Sequence, residues 1–266
     1  NDDLIFVVGD SGTLTPATST GYTILTNISG SIDTTAPTIS SFSTTTANGS
    51  YKAGDAINIT ATASESILAG GQITVTLDTG ASVTLTAAST GNTLTGTYTI
   101  AAGQNSADLT VSSFTIGSGS ATPRDAAFGN ALTSTTVPSG TSNIAGSYAI
   151  VVDTTAPTVS SVAIASATGI QSSRLNAGDV VNVTVTMSEA VTVTGSPQLA
   201  LNIGGTTVQA AYASGSGSSS LIFSYTIQAG QTDTNGISIA ANSLALNSGT
   251  IADAAGNAAT LTHALV

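Results

Sequence analysis

Apolar and polar residues alternate along several stretches of the chain, and the clearest of these stretches occurs twice. Residues 55–65 read Asp-Ala-Ile-Asn-Ile-Thr-Ala-Thr-Ala-Ser-Glu, and residues 179–189 read Asp-Val-Val-Asn-Val-Thr-Val-Thr-Met-Ser-Glu. Successive side chains of a β-strand point to opposite faces, whereas a helix needs apolar residues at every third or fourth position. Each stretch therefore predicts a strand with one buried face.

Several shorter segments recur in the same order after these two strands. They are the predicted strands 73–77 and 199–203, the predicted strands 98–100 and 225–227, and the turn sequences Asp-Ala-Ala-Phe-Gly-Asn at 125–130 and Asp-Ala-Ala-Gly-Asn at 253–257. A repeated order of strands and turns indicates a repeated structural unit rather than one continuous fold.

A repeated pentapeptide marks where each unit begins. Asp33-Thr-Thr-Ala-Pro37 returns unchanged as Asp153-Thr-Thr-Ala-Pro157, 120 positions later. We therefore predict an N-terminal strand segment over residues 1–32, one domain over residues 33–152 and a second over residues 153–266. Residues 148–152 predict the closing strand of the first domain. The second domain has no counterpart to it and is expected to lack its last strand.

The predicted strands are short and lie close together, with turn residues between them. This spacing is typical of an all-β fold, and it predicts two tandem immunoglobulin-like β-sandwiches. Because the chain contains no Cys and no Trp, the core cannot use the disulfide and tryptophan of antibody domains. The predicted core is Ile57, Ile59, Val75, Leu77, Val83, Leu85 and Ile100 in the first domain, and Val181, Val183, Val185, Leu199, Leu201, Phe223, Tyr225 and Ile227 in the second.

Charge narrows the classes of partner. The net charge is −11, with three basic residues in 266, so the chain has no basic patch that could neutralise phosphates, and nucleic-acid binding is excluded. No apolar run is long enough to cross a membrane, so we expect no membrane insertion. The absence of Cys also excludes zinc–thiolate sites. An acidic, cysteine-free, Thr-rich chain suits the outside of a microbial cell.

These motifs together resemble a known class of repeat. Asp-Thr-Thr-Ala-Pro, the Ala-Gly-Asp strand that ends in Ser-Glu, and Asp-Ala-Ala-Gly-Asn are similar to motifs of the bacterial immunoglobulin-like repeats of large secreted adhesins, S-layer-associated proteins and extracellular fibres. The resemblance covers residues 33–266. It implies an extracellular, cell-surface location, partners that are adjacent repeats or neighbouring copies, and calcium at the junctions between repeats.

The acidic residues recur at equivalent positions in the two domains. If strands alternate in direction, the linker Asp, the Glu that ends the long strand and the Asp before the last strand lie at one pole of each domain. Three close carboxylates repel one another unless a cation lies among them, and Ca²⁺ takes oxygens from carboxylates, amides and carbonyls. The predicted ligands are Asp33, Glu65, Asp125 and Asn130, then Asp153, Glu189, Asp253 and Asn257. The alternative is that the Asp residues only accept main-chain hydrogen bonds in turns.

Catalysis is not expected, because every promising carboxylate is duplicated in the other domain and the single histidine, His263, has no plausible catalytic partner. A calcium-dependent carbohydrate-binding module remains the alternative function, with a cell-surface glycan as its ligand.

Assembly is a further expectation, because an unpaired strand edge can accept a strand from another chain. The predicted donor residues are Leu4, Ile5, Phe6, Val7, Val8, Tyr22, Ile24 and Ile28. Head-to-tail donation would build a filament. The alternative is that residues 1–32 are the end of a preceding unit in a longer array.

Overall fold

The computed structural model describes residues 32–266, and the chain divides into an N-terminal unit, residues 1–34, and a main unit, residues 35–266. The predicted donor strands, Leu4–Val8 and Tyr22–Ile28, lie outside the described residues. Within residues 32–266, no helix reaches the length and apolarity of a membrane span.

The main unit is all-β, as predicted. We call residues 35–152 the first half, residues 153–157 the linker and residues 158–266 the second half. The strands of the first half are β1 (Ile39–Ser43), β2 (Gly49–Tyr51), β3 (Ala56–Ile67), β4 (Gln72–Leu77), β5 (Ser82–Thr86), β6 (Gly91–Thr99), β7 (Val111–Ile116) and β8 (Ile150–Val152). Three single 3-10 turns, Gly119–Ala121, Gly140–Ser142 and Ile144–Gly146, also belong to it. The strands of the second half are β9 (Val159–Thr168), β10 (Val180–Thr194), β11 (Gln198–Ile203), β12 (Thr206–Ser214), β13 (Ser218–Thr226), β14 (Leu244–Ala245) and β15 (Thr250–Ala252).

One six-stranded antiparallel sheet, in the order β1-β3-β6-β5-β4-β7, forms most of the first half. The two edge strands of this sheet approach each other, since the rings of Phe42 on β1 and Phe114 on β7 meet edge to face with centroids 5.8 Å apart. The sheet is therefore curled. The predicted closing strand is present as β8, but it pairs in parallel with the short β2. Its Val152 also exchanges two main-chain hydrogen bonds of 2.8 Å with Ser106. Residues 106–109, β8 and β2 thus cover the open side of the curled sheet.

The second half repeats this plan with one long central strand. Its sheet has the order β14-β11-β12-β13-β10-β15, and β9 pairs with β10. After β15 the described residues make isolated pairings, between Thr158 and Thr260 and between Ile239 and Val266.

Two separate hydrophobic clusters lie inside the main unit, one in each half. The predicted core is confirmed residue by residue, because every predicted side chain is buried except Tyr225, which is half-buried against the second cluster. In β3 the buried side chains occupy alternate positions from Ile57 to Ala63, as the sequence pattern predicts. Each half therefore has its own aliphatic core, although the contacts join both halves into one compact unit.

A glycine in β6 provides a test of how closely this sheet is packed. A Cβ added at Gly96 would lie 2.5 Å from the Thr84 carbonyl oxygen and 2.8 Å from Leu85 Cδ2, whereas at Gly91, in the same strand, it would meet nothing within 4 Å. We expect Gly96→Ala to lower the free energy of unfolding by about 1–3 kcal/mol through overpacking. Gly91→Ala is the matched control and should change it by less than about 0.5 kcal/mol. Equal urea midpoints for the two variants would contradict the described packing.

Candidate metal centre

Three carboxylates from separate parts of the chain meet where the linker joins the second half. Asp153 begins the linker, Glu189 lies on β10, and Asp253 directly follows β15. One carboxylate oxygen from each lies within 4.8 Å of the other two. Asp253 is buried, with 6% of its surface exposed, and the other two are half-buried. The structure thus brings together the three acidic residues that the sequence pattern placed at one pole.

Glu189 reaches this position because the buried face of β10 continues through it. Met187 and Val191 on either side are buried, so the Glu189 side chain leaves the strand on the core-facing side. Pairing with β13 is interrupted between Thr186 and Val191, whereas on the other side of β10 Met187 still pairs with Val159 of β9.

Ser188 fixes the beginning of the second half against the same part of β10. Its hydroxyl accepts the Thr158 N–H at 2.9 Å, and its own N–H donates to the Thr158 carbonyl at 2.8 Å. Ser64 does the same for Thr38 in the first half, at 3.0 and 2.8 Å. The repeated Ser-Glu therefore holds the chain just after each Asp-Thr-Thr-Ala-Pro, a role that the sequence pattern alone did not suggest.

The loop Asp253–Asn257 connects the buried carboxylate to the linker. The Asn257 main-chain N–H donates to Asp253 Oδ1 at 2.9 Å, and its side-chain Nδ2 donates to Asp253 Oδ2 at 2.8 Å. The same Nδ2 donates to the Asp153 carbonyl at 2.9 Å. Asn257, predicted as a ligand, thus joins the Asp253 carboxylate to the linker backbone through its amide.

The first half contains an equivalent pair. Glu65 and Asp125 each offer a carboxylate oxygen within 4.8 Å of the other, at the positions that match Glu189 and Asp253. The Asn130 side chain also bonds to Asp125, as Asn257 bonds to Asp253. Asp33 belongs to the N-terminal unit, and its correspondence with Asp153 rests on the repeated sequence.

Hydrogen bonding distinguishes Asp125 from Asp253. Asp125 Oδ1 accepts the main-chain N–H groups of Ala127, Phe128 and Gly129, and its Oδ2 accepts that of Asn130 at 2.6 Å. The Asp253 carboxylate accepts one main-chain N–H, from Asn257. The turn role that the sequence left open therefore describes Asp125 well, because its oxygens are largely committed to the loop. Asp253 has fewer such bonds and is better suited to a cation.

The surroundings of Glu189 and Asp125 shift the pKa values of their carboxyl groups in opposite directions. Burial raises the pKa of the Glu189 carboxyl, and the nearby Asp153 and Asp253 carboxylates raise it further. The pKa of Asp125 is lowered, chiefly because the Phe128 N–H donates to its carboxylate, with Asn130 and Gly129 adding to the effect. The group around Glu189 is thus one where negative charges crowd together and where a cation would relieve repulsion.

The raised pKa of Glu189 predicts an unusual pH dependence when no divalent cation is present. The folded state holds this proton more tightly than the unfolded state, so its contribution to stability is complete below about pH 4.3, the ordinary value for Glu. It is lost as the pH rises through the higher pKa of the folded state. In a chelator, the urea midpoint of the unaltered protein minus that of Glu189→Gln should therefore fall as the pH rises above about 4.3 and through the raised pKa of the folded state. A difference that stays constant would show that the pKa of Glu189 is not raised in the folded state.

The donor set fits a hard cation. The three converging side chains are all carboxylates, and the Asp153 and Asn257 carbonyls lie in the hydrogen-bonded frame around them. Ca²⁺ takes six to eight oxygens from carboxylates, carbonyls and water, whereas zinc favours imidazole and thiolate. Asp153, Glu189 and Asp253 are therefore the residues that would hold Ca²⁺, with carbonyls and water completing its shell.

The single histidine, His263, is not part of this group and is half-buried. Its Nε2 accepts the Ser243 N–H at 2.9 Å, and its Nδ1 lies 2.8 Å from the Ala264 carbonyl. The ring ties the last residues of the second half to the loop before β14. No carboxylate among the described residues is hydrogen-bonded to it, so the arrangement does not form a catalytic triad.

Comparison with known proteins identifies no family. No protein-family model matches the chain, and no curated protein is significantly similar to it in sequence.

Proposed function

We propose that residues 33–266 are a non-catalytic structural segment of an extracellular protein, in which two immunoglobulin-like β-sandwiches are held at a fixed angle by Ca²⁺ at their junction. In this proposal the chain belongs to a repeat array of the kind found in bacterial surface adhesins, S-layer-associated proteins and extracellular fibres. The observation that carries it is the meeting of Asp153, Glu189 and Asp253 within 4.8 Å.

The position of these carboxylates explains why a cation would matter mechanically. Asp153 is part of the linker, whereas Glu189 and Asp253 belong to the second half. The linker is already bound to the first half, because the Asp153 N–H donates to the Tyr51 carbonyl at 2.9 Å and the Thr154 N–H donates to Asn105 Oδ1 at 2.7 Å. A cation shared by the three carboxylates would fix the second half to this anchored linker. Without it, their repulsion favours separation.

Duplication supports a structural role over an enzymatic one. Glu65 and Asp125 occupy the places of Glu189 and Asp253 in the first half. A catalytic site has no need to recur in each repeat, whereas a junction device is needed wherever one sandwich follows another.

A calcium-dependent carbohydrate-binding module is the second candidate. The tyrosines that a sugar platform would require pack inward instead: Tyr98 is buried in the first core, and Tyr212 meets Phe223 edge to face at 5.8 Å. Tyr148 and Tyr225 also pack against the cores. Saturable binding on a glycan array in calcium would favour this module, and the absence of binding would favour the structural segment.

Assembly by strand donation also stays a prediction, because the donor residues lie outside those described. Electron microscopy of a variant that lacks residues 1–30 tests it. Filaments that form equally well without these residues would exclude donation.

Calorimetric titration with CaCl₂ tests the proposed function itself. We expect saturable binding with at least one site at the junction, and weaker binding of Mg²⁺, which demands a stricter octahedral geometry and gives up its water reluctantly. The absence of any saturable heat, together with no change in thermal unfolding, would overturn the proposal.

A further inference from the structure

The only lysine of the chain makes a direct bridge between the two halves. Lys52 lies in the turn between β2 and β3, and its Nζ donates to the Gly256 carbonyl at 2.9 Å. Gly256 belongs to the loop Asp253–Asn257, which contains the buried carboxylate of the candidate metal centre. Among the hydrogen bonds of the described residues, this one runs from the first half directly to the second.

The turn that presents Lys52 is well fixed. The Lys52 N–H donates to Asp55 Oδ2 at 3.0 Å, and the Asp55 N–H donates back to the Lys52 carbonyl at 3.1 Å. The preceding residue, Tyr51, accepts the N–H of Asp153. One short turn of the first half therefore contacts both the linker, at Asp153, and the loop that bears Asp253.

The equivalent turn in the second half has the same main-chain hydrogen bond to an Asp three residues later, but it has no lysine. Asn176 stands in the place of Lys52, and its N–H donates to Asp179 Oδ2 at 2.6 Å, as the Lys52 N–H does to Asp55. Turn formation thus needs no lysine at this position.

The conformation of Gly256 leaves space for the Lys52 side chain. It has φ +86°, a conformation that suits glycine, and a Cβ added there would lie 3.4 Å from Lys52 Nζ. The lysine side chain therefore lies directly over a loop whose local shape leaves room for it.

We propose that Lys52 is a positioning residue of the junction: by holding the Gly256 carbonyl, it keeps the loop Asp253–Asn257, and hence Asp253, in place beside Asp153 and Glu189. This inference rests on the proposed function, because the binding that Lys52 would favour is that of the junction cation. Coupling of this kind is reciprocal. If the Lys52 contact favours cation binding, cation binding favours the Lys52 contact to the same extent.

Electrostatic repulsion predicts the opposite change in Ca²⁺ affinity when Lys52 is removed. The direction of that change therefore distinguishes the two roles of Lys52. A positive charge near the site would weaken cation binding, so a purely electrostatic Lys52 predicts tighter binding after its removal. At about 0.15 M salt this repulsion is screened over roughly 8 Å. Positioning predicts weaker binding after removal.

Calorimetric titration of the whole chain with CaCl₂ at that ionic strength, comparing Lys52→Met with Lys52→Arg, separates the two. We expect Lys52→Met to bind Ca²⁺ about three- to tenfold more weakly, within the range of ordinary coupling. Lys52→Arg keeps a charged N–H donor and should stay close to the unaltered protein. Equal or tighter binding by Lys52→Met would overturn the inference while leaving the proposed function intact. If the unaltered protein binds no cation, both fail together.

A second measurement reports on the contact rather than on affinity. Because Lys52 is the only lysine, an amine-reactive ester followed by mass spectrometry of the peptide containing it measures how often Nζ leaves Gly256. Saturating Ca²⁺ should slow the labelling of Lys52 severalfold, and this effect should vanish in Asp253→Asn. A labelling rate that does not respond to Ca²⁺ in a protein that binds it would overturn the coupling.

Discussion

Replacing Asp253 by Asn should abolish the stabilisation of the protein by calcium. The substitution keeps the size of the side chain and removes the negative charge of the most buried of the three converging carboxylates. At a calcium concentration one hundred times the Kd, binding to the folded state alone adds about 2.7 kcal/mol. For a module of about 100 residues, this raises the Tm by about 10–20 °C. Scanning calorimetry in calcium and in chelator should show this rise for the unaltered protein and lose it in Asp253→Asn.

Asp108→Asn is the matched control, since it makes the same change of charge at an exposed position. It should keep the full calcium response. Asp125→Asn is informative in another way, because Asp125 accepts four main-chain N–H groups and its replacement should destabilise its loop even in chelator. A calcium response that persists in Asp253→Asn would place the cation elsewhere.

Phe42→Ala should weaken the first half of the main unit without unfolding the second. Phe42 is 1% exposed and packs against Phe114 within a cluster confined to the first half. Truncating a buried Phe to Ala costs about 3–5 kcal/mol through lost burial and the cavity that remains. Hydrogen exchange followed by mass spectrometry should therefore show earlier opening of peptides from β1, β3 and β6, with β10 and β13 still protected.

Phe223→Ala is the converse experiment. Phe223 is 0% exposed and meets Tyr212 edge to face in the second cluster, so its truncation should open β10 and β13 first. If either variant opens both halves in one transition, residues 35–266 would be a single cooperative unit despite their two cores.

The main strands could be predicted because their period is simple. β3 and β10 each alternate buried side chains with half-buried polar ones, and alternation over eleven residues of sequence leaves few other interpretations. The pairing of β8 with β2 could not be predicted in this way. β2 spans three residues, Gly49–Tyr51, without any apolar alternation, and its pairing is parallel to a strand about 100 residues away. Short edge pairings depend on how the larger sheet curls, which no local pattern encodes.

The candidate metal centre, like the fold, could be predicted from the sequence only in part. Repetition of Asp and Glu at equivalent positions was enough to predict which carboxylates converge around Glu189. It could not show that Asp125 and Asp253 differ, because that difference lies in how each loop directs its main-chain N–H groups. It also missed Lys52, since a contact with Gly256 depends on how the first and second halves are placed in the main unit rather than on any motif.

Small-angle scattering of the protein in calcium and in chelator tests the central claim, that a cation at the junction fixes one sandwich against the next. The proposed function predicts a single, narrow distribution of interatomic distances in calcium, and a broader one with a smaller mean length in chelator, because repulsion among Asp153, Glu189 and Asp253 loosens the linker. Asp253→Asn should give the same curve in both conditions. Identical curves for the unaltered protein with and without calcium would contradict the proposal.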